Sequence, residues 1–557
     1  MNVVRFALRS LVLVLSLSFL TSFLTAAAAA QEGPRVAVDS GTIRGETIVR
    51  RDTELHVFRG IPFAAAPVRD LRWRPPQPVA AWEGERECIE FAAACLQPAD
   101  LAYAHTYPKQ SEDCLYLNVW TSTLDRERKL PVMVWIHGGG NAIGGASAPT
   151  YDGATLAAAG VVLVSIQYRL GVLGFFAHPA LSAENAANGG AATSGNQGLL
   201  DQIAALGWVQ RNIAQFGGDP ECVTIFGESA GGVDVTLLMS SPLAKGLFHR
   251  AVAMSGGYHE FMPGLTTAAG ADHPAAYASS KEIGKRFDID GEDAVALAAL
   301  RALDADAIRS IPLSIGNIGG DRRGERALRL GPIVDGHVIP KSPEQIWRDG
   351  EMHRVPFLTG SLRDDGSVFS RASPIRGAMA YRLALRTLFG ARARDVAELF
   401  PVDGEESVTA AVHRLVTLMS FVAPSRRMAR QVAAAGGDAW LYHFAHEPSW
   451  LPGTRSVIHG IELPFLFGTL PARASVLDRE LATQLRRHIL VFARDGAPGV
   501  VESNQPGHDG ESEAEAAVWP KHDRAGDTWL VYDRGARIQT GLFVRECDLF
   551  DAIAASR

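Results

Sequence analysis

Val223-Thr224-Ile225-Phe226-Gly227-Glu228-Ser229-Ala230-Gly231-Gly232 is the stretch that decides the fold. Its first four residues form a short run dominated by β-branched and aromatic side chains, which reads as a strand buried on both faces. Residues 230–239 that follow are compatible with a helix. Between the two lies Gly-x-Ser-x-Gly, and its glycines suit a turn too tight for neighbouring side chains. The pentapeptide alone is a weak signal, but strand, sharp turn and helix together are the setting of a nucleophile elbow. Such a turn lifts the serine hydroxyl above the sheet and points backbone N–H groups of the helix start toward the reacting centre. Ser229 is therefore the candidate nucleophile.

The same pattern repeats on both sides of the elbow. Residues 132–136, 161–166, 251–254, 355–359 and 440–444 are further apolar runs. They are continuous rather than alternating, as strands covered on both faces are. Residues 199–214 between two of them place Leu199, Leu200, Ile203, Leu206 and Ile213 close to one helical face. Strands alternating with helices predict an α/β fold with a mostly parallel sheet flanked by helices. No Ser/Pro/Gly linker divides the chain, so residues 31–557 are expected to form one domain. Residues 265–330, rich in Ala, Asp and Arg, and residues 370–435, largely helical in pattern, are expected as insertions that shape a pocket above the sheet.

A serine hydroxyl is a poor nucleophile until a base takes its proton. His459, in Val457-Ile458-His459-Gly460-Ile461-Glu462, follows the run 440–444 and is the candidate base. The carboxylate that orients it is expected between serine and histidine in chain order. Asp365, in Arg363-Asp364-Asp365-Gly366, comes soon after the run 355–359, although order alone does not separate it from Asp364. Acyl transfer also places negative charge on the carbonyl oxygen, which needs N–H donors already in position. His137-Gly138-Gly139-Gly140 follows the run 132–136. The predicted donors are the amides of Gly139, Gly140 and Ala230. No metal or organic cofactor is called for, and the one His pair at near-ligand spacing, His443 and His446, has no further support.

Of the 557 residues, 47% are hydrophobic and 21% charged, which excludes disorder as the main state. The net charge of -7 and the absence of a Lys/Arg block argue against nucleic-acid binding. Arg5 and Arg9, the apolar run 11–24 and Ala28-Ala29-Ala30 read as a signal peptide over residues 1–30, cleaved near Ala30 and followed by a mature start at Gln31. A periplasmic or secreted location follows, and no later stretch reads as a membrane span. Export permits disulfides, and five cysteines leave at least one outside any internal pair. Cys95 and Cys114 bracket a short polar loop and are the first choice for a bridge. Cys222, before the run 223–226, reads as a free thiol near the core, and no pairing is assigned to Cys88 or Cys547. Residues 507–517 read as a solvated acidic loop. Arg322, Arg323, Arg326 and Arg329 read as a solvated basic surface, with binding of an acidic substrate group as the functional alternative.

Further motifs carry a resemblance. Arg59-Gly60-Ile61-Pro62-Phe63-Ala64, Leu71-Arg72-Trp73-Arg74-Pro75-Pro76, Glu112-Asp113-Cys114-Leu115-Tyr116-Leu117-Asn118-Val119-Trp120, Tyr168-Arg169-Leu170-Gly171 and Gly195-Asn196-Gln197-Gly198-Leu199-Leu200-Asp201-Gln202 precede the elbow in order. This series resembles the type-B carboxylesterase family of the α/β-hydrolase superfamily, especially its bacterial para-nitrobenzyl esterase-like members, over nearly the whole mature chain. The resemblance implies a serine carboxylesterase with Ser229, Asp365 and His459 as its triad, and a Cys95–Cys114 disulfide. The family usually has Glu at the acid position, where Asp365 stands here. Asn141 stands where an aromatic residue often follows the glycines, so the acyl side of the pocket is expected to differ. The expected partner is a small-molecule ester. A lipase or thioesterase of the same fold is the nearest rival, and a non-catalytic adhesion-type member is another, though intact Ser229 and His459 speak against it. A cholinesterase-like cation site lacks its Trp: the segment between Cys95 and Cys114 offers only Tyr103 and Tyr107.

Overall fold

The computed structural model describes residues 33–98, 106–257, 262–269, 274–314, 328–371, 373–451, 457–502, 516–523 and 525–556. Eleven strands form one mixed sheet: β1 (Glu46–Arg50), β2 (Thr53–Pro62), β3 (Tyr116–Thr121), β4 (Leu130–Ile136), β5 (Val162–Ile166), β6 (Gly218–Glu228), β7 (Arg250–Met254), β8 (Phe357–Leu362), β9 (Ala439–Phe444), β10 (Thr528–Tyr532) and β11 (Ala536–Thr540). Their order across the sheet is β11-β10-β9-β8-β7-β6-β4-β5-β3-β2-β1. Neighbours from β5 through β10 run parallel, and antiparallel strands close both edges.

Continuous apolar strands are buried twice over, as their composition demands. Val132, Val134, Ile136, Val164, Ile225 and Ala253 pack into one core, and Met133, Trp135, Leu163, Phe226 and Met254 into another on the opposite face. Full burial of each such side chain contributes about 1.5–3 kcal/mol. The strand expected at 355–359 starts at Phe357 instead. Pro356 stands just outside it, where the missing N–H costs the ladder nothing. The helix expected over 199–214 is α1 (Gln197–Asn212), tightening into a 3₁₀ turn that ends at Gly217 in the left-handed region. The elbow helix is α2 (Ala230–Ser240).

The insertions are helical where expected. Ala276–Lys285, Ala294–Arg301 and Ala305–Arg309 lie in the first, while Gly377–Phe389, Ala393–Leu399, Glu405–Thr417, a π-helical turn Leu418–Val422 and Ala423–Ala434 make up much of the second. Against the sequence expectation, residues 407–434 are long and apolar enough to cross a membrane by composition. In the fold they bury Val412, Leu415, Leu418, Val422 and Met428 against the rest of the protein. Arg322, Arg323, Arg326, Tyr103, the leader 1–30 and most of the acidic stretch 507–517 lie outside the described residues. Ala516 and Ala517 belong to a short strand paired with Val500–Glu502, so the loop expectation is corrected at those two positions.

Strand order places the chemistry. β4 and β6 are neighbours, yet β4 connects on to β5 and β6 to β7, so their outgoing connections lead to opposite sides of the sheet. A crevice opens at such a switch point, beyond the C-terminal strand ends. Register sets Ile136 of β4 beside Gly227 of β6, so the glycine loop emerges next to the elbow.

Candidate active site

Ser229 occupies the turn between β6 and α2 with φ 58° and ψ -126°, a conformation L-residues adopt only under constraint. The constraint is visible on both sides. Ser229 N–H donates to Met254 O at 2.9 Å, and a Cβ on Gly231 would lie 2.1 Å from Ile136 O. Helix, glycine loop and neighbouring strand therefore touch backbone to backbone, which only glycine allows.

The glycine loop arches over the serine. A side chain on Gly138 would meet Glu228 O at 2.6 Å and Ser229 Cβ at 3.0 Å. Gly139 and Gly140 have φ 115° and 63°. Gly139 O accepts from Ala142 and Ile143 N–H, which closes the loop. Tyr168 Oη donates to His137 O at 2.7 Å while its ring stacks on that imidazole, and Gln97 Oε1 accepts from Gly144 N–H at 3.0 Å. Among the hydrogen bonds of the described residues, none uses the N–H of Gly139 or Gly140. Ala230 opens α2, so its N–H has no intrahelical acceptor. The three amides expected as oxyanion donors thus make no hydrogen bond among the described residues.

His459 and Asp365 are in contact, whereas no hydrogen bond joins Ser229 to His459 among the described residues. His459 Nδ1 lies 2.8 Å from Asp365 Oδ1. Asp365 is fully buried, and its other oxygen accepts from Leu362 N–H at 2.7 Å and Ser255 Oγ at 2.9 Å. Asp364 turns away: its Oδ2 takes Val457 N–H at 2.9 Å and Arg363 Nε at 3.0 Å. Of the two aspartates, Asp365 is therefore the one in contact with His459. The shorter acid is accommodated because β8 ends close enough for its own Leu362 amide to fix the carboxylate. The His459 ring is flanked by Phe369 and Phe421, with centroids 5.0 and 5.1 Å away. Phe421 lies on the π-helical turn, an irregularity common at functional sites.

Four features escaped sequence reasoning. Glu228, the x of the serine motif, is buried with Oε1 3.1 Å from His459 Nε2. Burial pushes its carboxyl up to about 7, with Asp365 adding to the rise and a positive His459 opposing it. Glu462 is fully buried, and neither carboxylate oxygen has a hydrogen-bond partner among the described residues. Burial, then the charges of Glu228 and Asp365, hold it well above the usual carboxylate range. Burial alone would push the His459 imidazole down, but Glu228 and Asp365 outweigh it and raise the imidazole overall. Ser255, at φ 46°, is the third feature and supplies a donor to Asp365. The Phe369–Phe421 pair is the fourth. His459-Gly460-Ile461-Glu462 carried a signal for Glu462, since a Glu three residues after the base returns to the same side of a turn; nothing comparable marked Ser255.

Cys95 and Cys114 form a disulfide, while Cys88, Cys222 and Cys547 are free thiols. Tyr107 is buried with its hydroxyl on Gly145 O. His446 pairs with Asp478, and His443 contacts Ser361.

A sequence model described as Carboxylesterase family matches residues 32–550. The chain is 36% identical over 528 residues to Fumonisin B1 esterase of Sphingopyxis macrogoltabida, covering 92% of this chain and 89% of that protein. It is 34% identical over 494 residues to Para-nitrobenzyl esterase of Bacillus subtilis (strain 168), covering 86% and 93%. Liver carboxylesterase of Sus scrofa is 36% identical over 492 residues, covering 79% and 81%.

Proposed function

The chain belongs to the carboxylesterase family and is a serine carboxylesterase of α/β-hydrolase fold; from that premise we propose that Ser229, His459 and Asp365 are its catalytic triad and that Gly139, Gly140 and Ala230 form its oxyanion hole. The observation that carries the proposal is the 2.8 Å contact between His459 Nδ1 and a buried Asp365 whose other oxygen is already saturated by two donors. An imidazole held by Nδ1 turns Nε2 toward the elbow, where Glu228 Oε1, on the residue before Ser229, lies 3.1 Å away.

His459 takes the proton of Ser229 Oγ as the oxygen attacks the ester carbonyl. The tetrahedral oxyanion receives N–H donors from the glycine loop and from Ala230, and each such donor contributes about 2.7–4 kcal/mol to lowering the barrier. Protonated His459 then gives its proton to the departing alcohol. Asp365 stabilises the imidazolium and fixes its tautomer. Water repeats the sequence on the acyl-enzyme and releases the acid.

Residues 31–557 act as one catalytic unit, and residues 1–30 direct export to the periplasm or beyond. The Cys95–Cys114 disulfide supports that location, since such bonds persist in oxidising compartments. The relatives named for fumonisin B1 and para-nitrobenzyl esters favour a carboxylic ester as substrate over a thioester.

Ser229→Ala tests the triad. Turnover of a short-chain nitrophenyl ester is expected to vanish with an unchanged circular dichroism spectrum, and organophosphate labelling is expected at Ser229 of the wild type. Substantial remaining turnover, or labelling elsewhere, removes Ser229 from its role.

A further inference from the structure

The oxyanion donors come from two separate pieces of chain: Gly139 and Gly140 from the loop after β4, Ala230 from the start of α2. Their amides must converge on one oxygen to within a fraction of an ångström. Backbone contacts bring the pieces together, and one side-chain bond crosses between them. Asn141 Nδ2 donates to Asp234 Oδ1 at 3.0 Å. Asn141 directly follows the glycines, and Asp234 sits one turn inside α2. Gln202 Nε2, on α1, donates to the other carboxylate oxygen at 2.7 Å.

All three side chains are buried, with Asp234 and Gln202 fully so. No cation approaches the carboxylate in hydrogen-bonding or ion-pair contact among the described residues; burial pushes its carboxyl up to about 7, while the two amide donors pull it back. A buried acid in that position is costly to leave unpaired. Asn141 also sits at φ 57°, in the left-handed region that Asn tolerates better than most residues, and its carbonyl accepts from Gly171 N–H at 2.7 Å. The two residues therefore depend on each other.

We propose that Asn141 and Asp234 form a clamp, braced by Gln202, that sets the spacing between the two halves of the oxyanion hole and so tunes transition-state binding. Both are positioning residues, and the proposal rests on the triad and oxyanion assignment above. The clamp acts on the charge that develops during reaction rather than on ground-state substrate.

The test is a double-mutant cycle on the mature enzyme with a nitrophenyl ester. Asn141→Gly keeps the left-handed backbone accessible and removes only the side chain. It is expected to lower kcat about 10- to 100-fold with KM within about twofold. Inhibition by a trifluoromethyl ketone, whose serine adduct places an oxyanion in the hole, is expected to weaken by the same factor. Asp234→Leu is expected to lose as much, and the double variant no more than the worse single one. Asp234→Asn is expected to restore what Asp234→Leu loses, because Gln202 can turn its amide over and accept from the new one.

Losses that multiply in the double variant, a change in KM alone, or ketone affinity unmoved in Asn141→Gly would each overturn the clamp. Should Asp234→Leu fail to fold, Asn141→Gly with the ketone decides by itself. A wild type that organophosphate does not label ends the triad assignment; a labelled wild type with Asn141→Gly kinetics unchanged ends only the clamp.

Discussion

Glu228 Oε1 lies 3.1 Å from Nε2 of His459, so the imidazole stands between two carboxylates, with Asp365 on the opposite ring nitrogen. Neither of these carboxylates is exposed, and the aromatic pair Phe369 and Phe421 flanks the ring. The charge of Glu228 thus acts on the base at short range and in little water, where it counts most.

The sign of its effect on pH dependence follows. A base works only when deprotonated, and Glu228 raises the imidazole by stabilising its charged form. In Glu228→Gln that stabilisation is gone, the imidazole loses its proton at lower pH, and the acid limb of kcat/KM moves to lower pH. An acid limb that stays in place or moves upward in the measured profile would remove Glu228 from contact with the titrating base.

The two adjacent aspartates are expected to separate cleanly. Asp365→Asn takes the charge from beside His459 and supports the wrong tautomer, and kcat should fall by about 10³- to 10⁴-fold. Asp364→Asn alters contacts to Arg363 and Val457 only, and kcat should stay within about threefold, as for a substitution that leaves the triad intact. Steady-state kinetics of the two variants side by side checks the pair, and the reverse ranking would reassign the acid.

Gly138→Ala places a methyl group 2.6 Å from Glu228 O and 3.0 Å from Ser229 Cβ. The glycine loop must lift, and displaced donors should cost about 100-fold in kcat. Full activity in Gly138→Ala would show that the loop does not need its close approach.

Loss of the Cys95–Cys114 bridge is expected to act on stability and on turnover. Opening it in Cys95→Ser should cost about 2–4 kcal/mol of unfolding free energy. Gln97, two residues from Cys95, holds both the N–H and the carbonyl of Gly144 beyond the glycine loop. A fall in kcat should therefore accompany the fall in melting temperature. Unaltered kcat in a destabilised variant would uncouple this bracket from the loop.

Much of the fold was legible because a parallel sheet buried on both faces demands continuous apolar strands, and 223–226 and 440–444 could hardly be read otherwise. Ends were less legible: Pro356 displaced one strand start, and the 3₁₀ turn after Asn212 blurred a helix end. The apolar stretch 407–434 shows the limit of composition, since its core-facing side chains find their partners only in three dimensions.

Local chemistry is written in the chain itself. Glycines that admit no side chain mark the elbow and the loop after β4, and the order of Ser229, Asp365 and His459 can be read from residue numbers alone. Contact is not written there. Asp365 rather than Asp364 faces His459, Glu228 flanks the far ring nitrogen, Ser255 steadies the acid, and Asn141 reaches Asp234, because each of these pairs joins segments brought together only by the strand order of the sheet and the crevice at its switch point. Hydrogen bonds and buried charges depend on distances of a few ångströms, and between residues far apart in sequence only the packed fold sets those distances.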